Sequence, residues 1–206
     1  MTIYIVLAYI LDLILGDPRW FPHPVKGIGW MIKKLEPVLR KVFRSQRIGG
    51  IVLAISVIGV SWCLGVMLIK QAYSINRYLG SVTSILIIYS SLAAKDLDVE
   101  SAEVYQTLKK KDIISARKKL SLIVGRDTNN LGYQEVVRAT VETVAENIVD
   151  GVISPLFYAF IGGAPLALAY KAVNTLDSMV GYKNDKYKDF GWASAKIDTL
   201  ANFIPA

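Results

Sequence analysis

Glu135, Glu142, Glu146 and Asp150 stand in the segment Val124–Asp150, VGRDTNNLGYQEVVRATVETVAENIVD. Read as one helix from about Tyr133, the segment places these four carboxylates within roughly 80° of arc, at about 100° per residue. Val137, Val141, Val144 and Ile148 fall on the opposite face. Four carboxylates on one stripe repel, and a solvated helix usually intersperses Lys or Arg four residues away. Here only Arg138 joins them. Such a stripe suits a divalent cation or a cationic group; the plainer alternative is an acidic face turned to water.

Three further polar clusters carry chemistry. Asp12, Asp17 and His23 lie in DLILGDPRWFPHPV, where Asp17-Pro18 and the prolines around His23 predict an extended, turned loop at a membrane exit. His23 is the only histidine, which excludes a multi-histidine metal site. Asp17 or His23 could still act as a ligand or proton carrier, or the loop could simply end the first helix. Gly125-Arg126-Asp127-Thr128 precedes the acidic helix. Arg126 offers a planar fork for phosphate or carboxylate, and Thr128 or Asn129 is expected to cap the helix, leaving N–H groups for an anion. Without an anion, the same residues make a cap with a surface ion pair. Finally, Lys171, Asn174, Asp177 and Ser178 share a face at i, i+3, i+6 and i+7. A lysine there, among apolar residues, is costly unless paired, so Lys171 is a candidate for phosphate and Asp177 for a metal; the alternative is a partly solvated amphipathic helix. The chain has neither G-x-x-x-x-G-K-[ST] nor G-x-G-x-x-G. A nucleotide would therefore be held through carboxylate-bound magnesium plus Arg or Lys.

The elements that must position these groups are greasy. Of 206 residues, 53% are hydrophobic, yet 20% are charged and the net charge is +7. Mean hydropathy is +0.38. Clustered charges in so apolar a chain predict a membrane protein with polar loops facing an anionic leaflet or substrate. Nucleic acid as a partner has only the charge in its favour, with no motif behind it. Cys63 is the sole cysteine, so there is neither a disulfide framework nor a cysteine metal site. The N-terminus lacks a basic region and a cleavage site, so Ile3–Leu15 is expected to be a retained membrane segment.

Membrane segments are predicted at about 3–15, 50–69, 82–94 and 148–173. Gly50–Ile69 is uncharged and long enough to cross about 30 Å of hydrocarbon. Basic residues from Arg19 to Arg47 and from Lys95 to Arg138 flank it, against Lys70 and Arg77 alone between the second and third segments. The positive-inside rule then puts the N-terminus outside and the loops 16–49 and 95–147 in the cytoplasm. Segment 148–173 is interrupted by Pro155 and Gly162-Gly163-Ala164-Pro165. Its basic tail would lie outside if it crossed, so two short helices, about Val152–Ile161 and Pro165–Asn174, are expected to dip in and return as a re-entrant hairpin. Leu97–Leu122 predicts two helices outside the membrane, broken near Lys111-Asp112.

In this order, DLILGDPRWFPHPV from Asp12, GRDT from Gly125, VETVAENIVD from Val141 and YKAVNTLDSMVGY from Tyr170 resemble the CobD/CbiB family, the adenosylcobinamide-phosphate synthases of cobalamin biosynthesis. The resemblance spans nearly the whole chain and implies one all-α, multi-pass inner-membrane domain over 1–206 in a bacterial or archaeal cell, its active site facing the cytoplasm. It implies an ATP-dependent ligase joining adenosylcobyric acid to aminopropanol or its phosphate, with magnesium, and with other membrane enzymes of late cobalamin assembly as partners. On that reading Glu142, Glu146, Asp150 and Asp177 hold magnesium. Arg126 and Lys171 hold phosphate, Asn147 and Asn174 orient substrate amides, and Asp17, His23 and Asp127 contact substrate. The resemblance also implies a longer chain, continuing past Ala206, and a second aspartate where Asp198-Thr199 stands. The alternatives are an AmpE-type membrane sensor without catalysis and a transporter or ion-binding protein.

Overall fold

The structure is a computed structural model that describes residues 1–18, 23–125 and 127–206. Among the described residues it is all-helical: α1 Thr2–Leu15, α2 Pro24–Val42, α3 Gln46–Ile75, α4 Arg77–Tyr89, α5 Ala94–Lys109, α6 Ile113–Leu120, α7 Tyr133–Ile148, a π-helical turn Val149–Ile153, α8 Ser154–Val180 and α9 Trp192–Ala201. Three stretches are long and apolar enough to cross a membrane: Gln46–Ile75, Arg77–Lys109 and Tyr133–Val180. α1 is a shorter apolar helix beside them. The chain is a membrane protein whose apolar helices α1, α3, α4 and α8 pack on one another through Leu53, Ala54, Val57, Ile88 and Leu176.

α1 and α4 run side by side in the same direction. Tyr4 hydroxyl lies 2.8 Å from Ser81 Oγ at one end, and Tyr89 hydroxyl donates to Gly16 carbonyl at the other. α3 is antiparallel to the second half of α8. Gly65 faces Pro165, and Gly50 sits so close to Phe190, just past α8, that a Cβ there would collide with the Phe190 carbonyl. The bundle thus has one end near Met1, Tyr73 and Gly163, and a polar end near Gly16, Gly50 and Val180.

The stretch Tyr133–Val180 is not one straight crossing. Tyr158 and Tyr170 are twelve residues apart, which in a continuous helix is about 18 Å along the axis. Their rings stack at 5.0 Å with 15° between planes. Ser154 Oγ and Tyr170 hydroxyl both donate to Asn202 Oδ1, at 2.6 and 2.8 Å. The chain reverses at Gly162 and Gly163, whose backbone leaves the helical region. Gly163 sits at φ 68°, ψ −162°, a combination that essentially only glycine adopts. The halves on either side form the hairpin that the Gly-Gly-Ala-Pro interruption predicts, and both its ends lie at the polar end.

At that end, α5, α6 and α7 build a second core from Val104, Leu108, Ala116, Leu120, Val136 and Ala139. The predicted break near Lys111-Asp112 is there: Lys111 takes φ 59° and the Asp112 carboxylate accepts from Ser115 N–H at 3.0 Å to cap α6. The segment expected as a cytoplasmic loop, 16–49, holds the amphipathic α2, anchored by buried Ile28 and Ile32. The apolar stripe Val137, Val141, Val144 and Ile148 is not the packed face of α7. Val137, Val141 and Ile148 are exposed, while Val136 and Ala139 are buried. Helical period identifies an apolar stripe but not which neighbour covers it, and α5 and α6 approach along the adjacent row.

Candidate functional site

α7 begins at Tyr133 as the sequence predicts, but neither Thr128 nor Asn129 caps it. Gly132 is the N-cap, and Glu135 Oε2 reaches back to accept from Gly132 N–H at 2.6 Å. Glu135 is thereby committed to the cap. Thr128 is buried, its hydroxyl donating to Arg117 carbonyl at 3.0 Å, which pins the GRDT loop to α6. Asp127 is exposed and folds onto its own backbone, accepting from Asn129 N–H at 2.9 Å; it lines none of the site's cavities. Arg126 lies outside the described residues.

The other three carboxylates of the stripe, with Asn147, Asn174 and Asp177, line a chamber of about 620 Å³ between α7 and α8. Glu142 is exposed and pairs with Arg138 at 2.7 Å. Asp177 folds over the end of α8, where only a residue without a Cβ, Gly181, leaves room for its Oδ1. Asp150 falls in the π-turn that follows α7 and still lines the chamber with Glu142 and Glu146. The same turn frees the Gly151 carbonyl to accept from Ala93 N–H at 3.0 Å, tying the site to the start of α5. Asp12, buried at the end of α1, caps that helix from outside: its Oδ2 accepts from Ala94 N–H at 2.8 Å.

Asp150 is held by a hub that the motif survey did not single out. Asn202 Nδ2 donates to Asp150 Oδ1 at 3.0 Å and to Asp198 Oδ2 at 3.2 Å. Its Oδ1 accepts from Ser154 and Tyr170, so both amide ends are used. Among the described residues, Asp198 Oδ1 is buried without a hydrogen-bond partner. Burial, then the charges of Asp150 and Asp177, push the Asp198 carboxyl up to about 7. The sequence did hold a signal for this hub: Tyr158 and Tyr170 stand six residues either side of Ala164, and Asp198 and Asn202 are one helical turn apart.

The face Lys171–Asn174–Asp177–Ser178 is divided between two cavities. Asp177 faces the acidic chamber, while Lys171 faces a second cavity of about 750 Å³ between α2 and α8, with Asp17, His23, Lys26, Trp30 and Lys33. His23 caps α2 through Nδ1, which accepts from Val25 N–H at 3.3 Å. Its Nε2 therefore carries the proton and lies 2.9 Å from Asp17 Oδ1, in contact but poorly aligned. Lys171 makes no ion pair within 4 Å among the described residues, although Asp17, Asp150, Asp12 and Asp96 all lie in electrostatic reach. A small cavity of about 190 Å³, lined by Asp96, shares Asn147 and Asp150 with the acidic chamber and Lys171 with the α2–α8 cavity. Asn174 lines all three.

Among the described residues no three of His, Cys, Asp and Glu converge as the ligand set of a metal ion would. Glu142, Glu146, Asp150 and Asp177 line one chamber without forming an all-protein cage. That donor set fits magnesium, which commonly takes one or two carboxylates, waters and the substrate's own phosphates.

The chain matches the family model "CobD/Cbib protein" over residues 5–206. It is 51% identical over 205 residues to the cobalamin biosynthesis protein CobD of Clostridium perfringens, covering 99% of this chain and 65% of that protein. It is 52% identical over 202 residues to the CobD protein of Geobacter metallireducens, covering 98% and 64%. It is 47% identical over 203 residues to the cobalamin biosynthesis protein CbiB of Salmonella arizonae, covering 97% and 64%. The chain thus spans slightly less than two thirds of the length of these relatives. No solved structure matches it. The chain belongs to the CobD/CbiB family.

Proposed function

We propose that this chain works in cobalamin biosynthesis and carries the centre of an ATP-dependent acid–amine ligase, joining the free carboxylate of adenosylcobyric acid to aminopropanol or its phosphate. The observation that supports it is the junction at Asn174, where a carboxylate-lined chamber meets a lysine-lined one. A carboxylate is a poor acyl donor. Transfer of the γ-phosphoryl group of ATP to its oxygen gives an acyl phosphate and ADP. The amine then forms the C–N bond as the C–O bond to phosphate breaks, and phosphate leaves. The ammonium must first lose a proton, and a carboxylate of the acidic chamber takes it.

Lys171 is placed to hold phosphate, and Asn147 and Asn174 to orient the amides of substrate and product. Glu146, Asp150 and Asp177 would hold magnesium, which when bound neutralises the charge developing on the phosphates. With basic segments gathered at the polar end, this site faces the cytoplasm across the inner membrane.

The test is complementation. This chain, and a form extended by the remaining third of a relative, would be expressed in a bacterium lacking its own synthase, and cobalamin made from cobyric acid would be scored. Rescue by either supports the ligase. Failure of both, with membrane expression demonstrated, would overturn it in favour of the sensor or transporter alternatives.

A further inference from the structure

The two large cavities differ in charge. The acidic chamber is walled by Glu142, Glu146, Asp150 and Asp177. Among the described residues, the α2–α8 cavity presents Lys26, Lys33 and Lys171 against one acid, Asp17, which is already in contact with His23. On α2, Lys26, Gly29, Trp30 and Lys33 fall within roughly 100° of arc, on a face separate from buried Ile28 and Ile32. Gly29 lets the helix approach until a Cβ there would lie 3.4 Å from Met179 Sδ. Trp30 remains 64% exposed at the mouth, beside Val25 and Met179. A broad cavity with apolar walls, an open indole and lysines at rim and floor is complementary to a bulky, apolar-bodied anion. The opposite chamber would repel that anion but accept a metal–phosphate or an ammonium.

We infer that the α2–α8 cavity is the subsite for the carboxylate-bearing reactant, a bulky acid with apolar faces, with Trp30 and Lys33 as its specificity-determining residues, and that the nucleotide and amine enter from the acidic chamber on the other side of α8. This rests on the ligase reading and deepens it: the two classes of reactant are sorted by charge and meet at Asn174.

The test uses the full-length protein in lipid nanodiscs, with dicyanocobyric acid and Mg-ATP as separate probes in equilibrium binding. K33E and W30A are expected to weaken cobyric acid binding at least tenfold while leaving Mg-ATP affinity within twofold, and E146Q to do the reverse. K33R and W30F, which keep charge and ring, are expected to retain binding and so exclude a folding defect. The primary amide of the same corrinoid is expected to bind more weakly than the acid and to be insensitive to K33E. Cobyric acid affinity unchanged by both K33E and W30A would overturn the subsite, as it would if Trp30 only anchored α2 in the bilayer interface. Equal loss of Mg-ATP would overturn the sorting by charge. Binding of Mg-ATP without any corrinoid binding would overturn the ligase reading along with it, whereas a corrinoid that binds but ignores α2 would sink the subsite alone.

Discussion

Replacing Asp198 by Asn should stabilise the protein above neutral pH and leave it unchanged in mild acid. The carboxyl of Asp198 is raised from its ordinary 3.8 to about 7, first by burial and then by the charges of Asp150 and Asp177. Between those two pH values the folded protein keeps a proton that the unfolded chain has released, so stability falls as pH rises through this window. A shift of this size corresponds to about 4 kcal/mol for a group sealed from water. Asp198 is only partly buried, and solvent screening reduces the figure to about 1–2 kcal/mol. Asn mimics the protonated acid and can still accept from Asn202 Nδ2, so the variant should escape the loss. For a chain of this size, 1 kcal/mol moves the melting temperature by about 2–4 °C, so the gain at pH 8 should be about 2–8 °C and should vanish near pH 4. The assay is thermal unfolding in detergent across pH 4–8. Parallel pH curves for parent and variant, or a variant less stable at pH 8, would refute the claim that Asp198 is held against its charge by Asp150 and Asp177.

Gly163→Ala should cost about 1–3 kcal/mol from backbone strain alone, because the nearest atom to a new Cβ is 3.7 Å away; unchanged unfolding in detergent would contradict the reversal. Asn202→Ala should cost about 1–3 kcal/mol by leaving Asp150, Ser154 and Tyr170 short of a partner, read by the same melt. Glu146→Gln keeps shape and removes charge, so turnover of cobyric acid should be lost while the melting curve is retained; full activity would remove Glu146 from the metal site. Single cysteines at Asp127 and Lys183, introduced after Cys63→Ser, should react with a membrane-impermeant maleimide from the same side of the bilayer, since both ends of the hairpin lie at one end of the bundle. Labelling from opposite sides would mean that α8 crosses.

Much of the scaffold was legible because it depends on local chemistry. The start of α7 at Tyr133, the break before Asp112 and the interruption at Gly162-Gly163 follow from residues that the backbone itself requires there. The acidic chamber was legible in part for the same reason: Glu142 and Glu146 keep helical register and arrive on one side. What failed depended on partners distant in sequence. Helical period marks Val137, Val141, Val144 and Ile148 as an apolar stripe, but it cannot say that α5 and α6 pack along Val136 and Ala139 instead. Thr128 or Asn129 is the cap that the sequence predicts, yet Thr128 is drawn to α6, Gly132 is the N-cap and Glu135 supplies the bond that the cap needs. Asp150 reaches the chamber with Glu142 and Glu146, but the π-turn that carries it was not legible, since nothing in VDGVI marks the extra residue.

The exceptions to ordinary packing rules lie near one another rather than scattered. Among the described residues, a π-turn at Val149–Ile153, a lysine without an ion pair within 4 Å, a carboxyl raised to about 7 and a buried carboxylate oxygen without a hydrogen-bond partner are distributed among the π-turn, α8 and α9, elements 50 residues apart at most. Each is unfavourable for folding taken singly, and a membrane bundle could replace any of them with apolar side chains of similar size. The hairpin explains why they coexist. By turning at Gly163 it returns Lys171 and Asp177 to the end where α7 delivers Glu146 and Asp150, so groups of opposite charge share one wall without neutralising each other in direct pairs. A fold selected for stability alone would let Lys171 close onto one of the aspartates within its reach. Holding them apart across Asn174 leaves both signs available to a reactant, as the proposed joining of an anionic acyl donor to an amine would need.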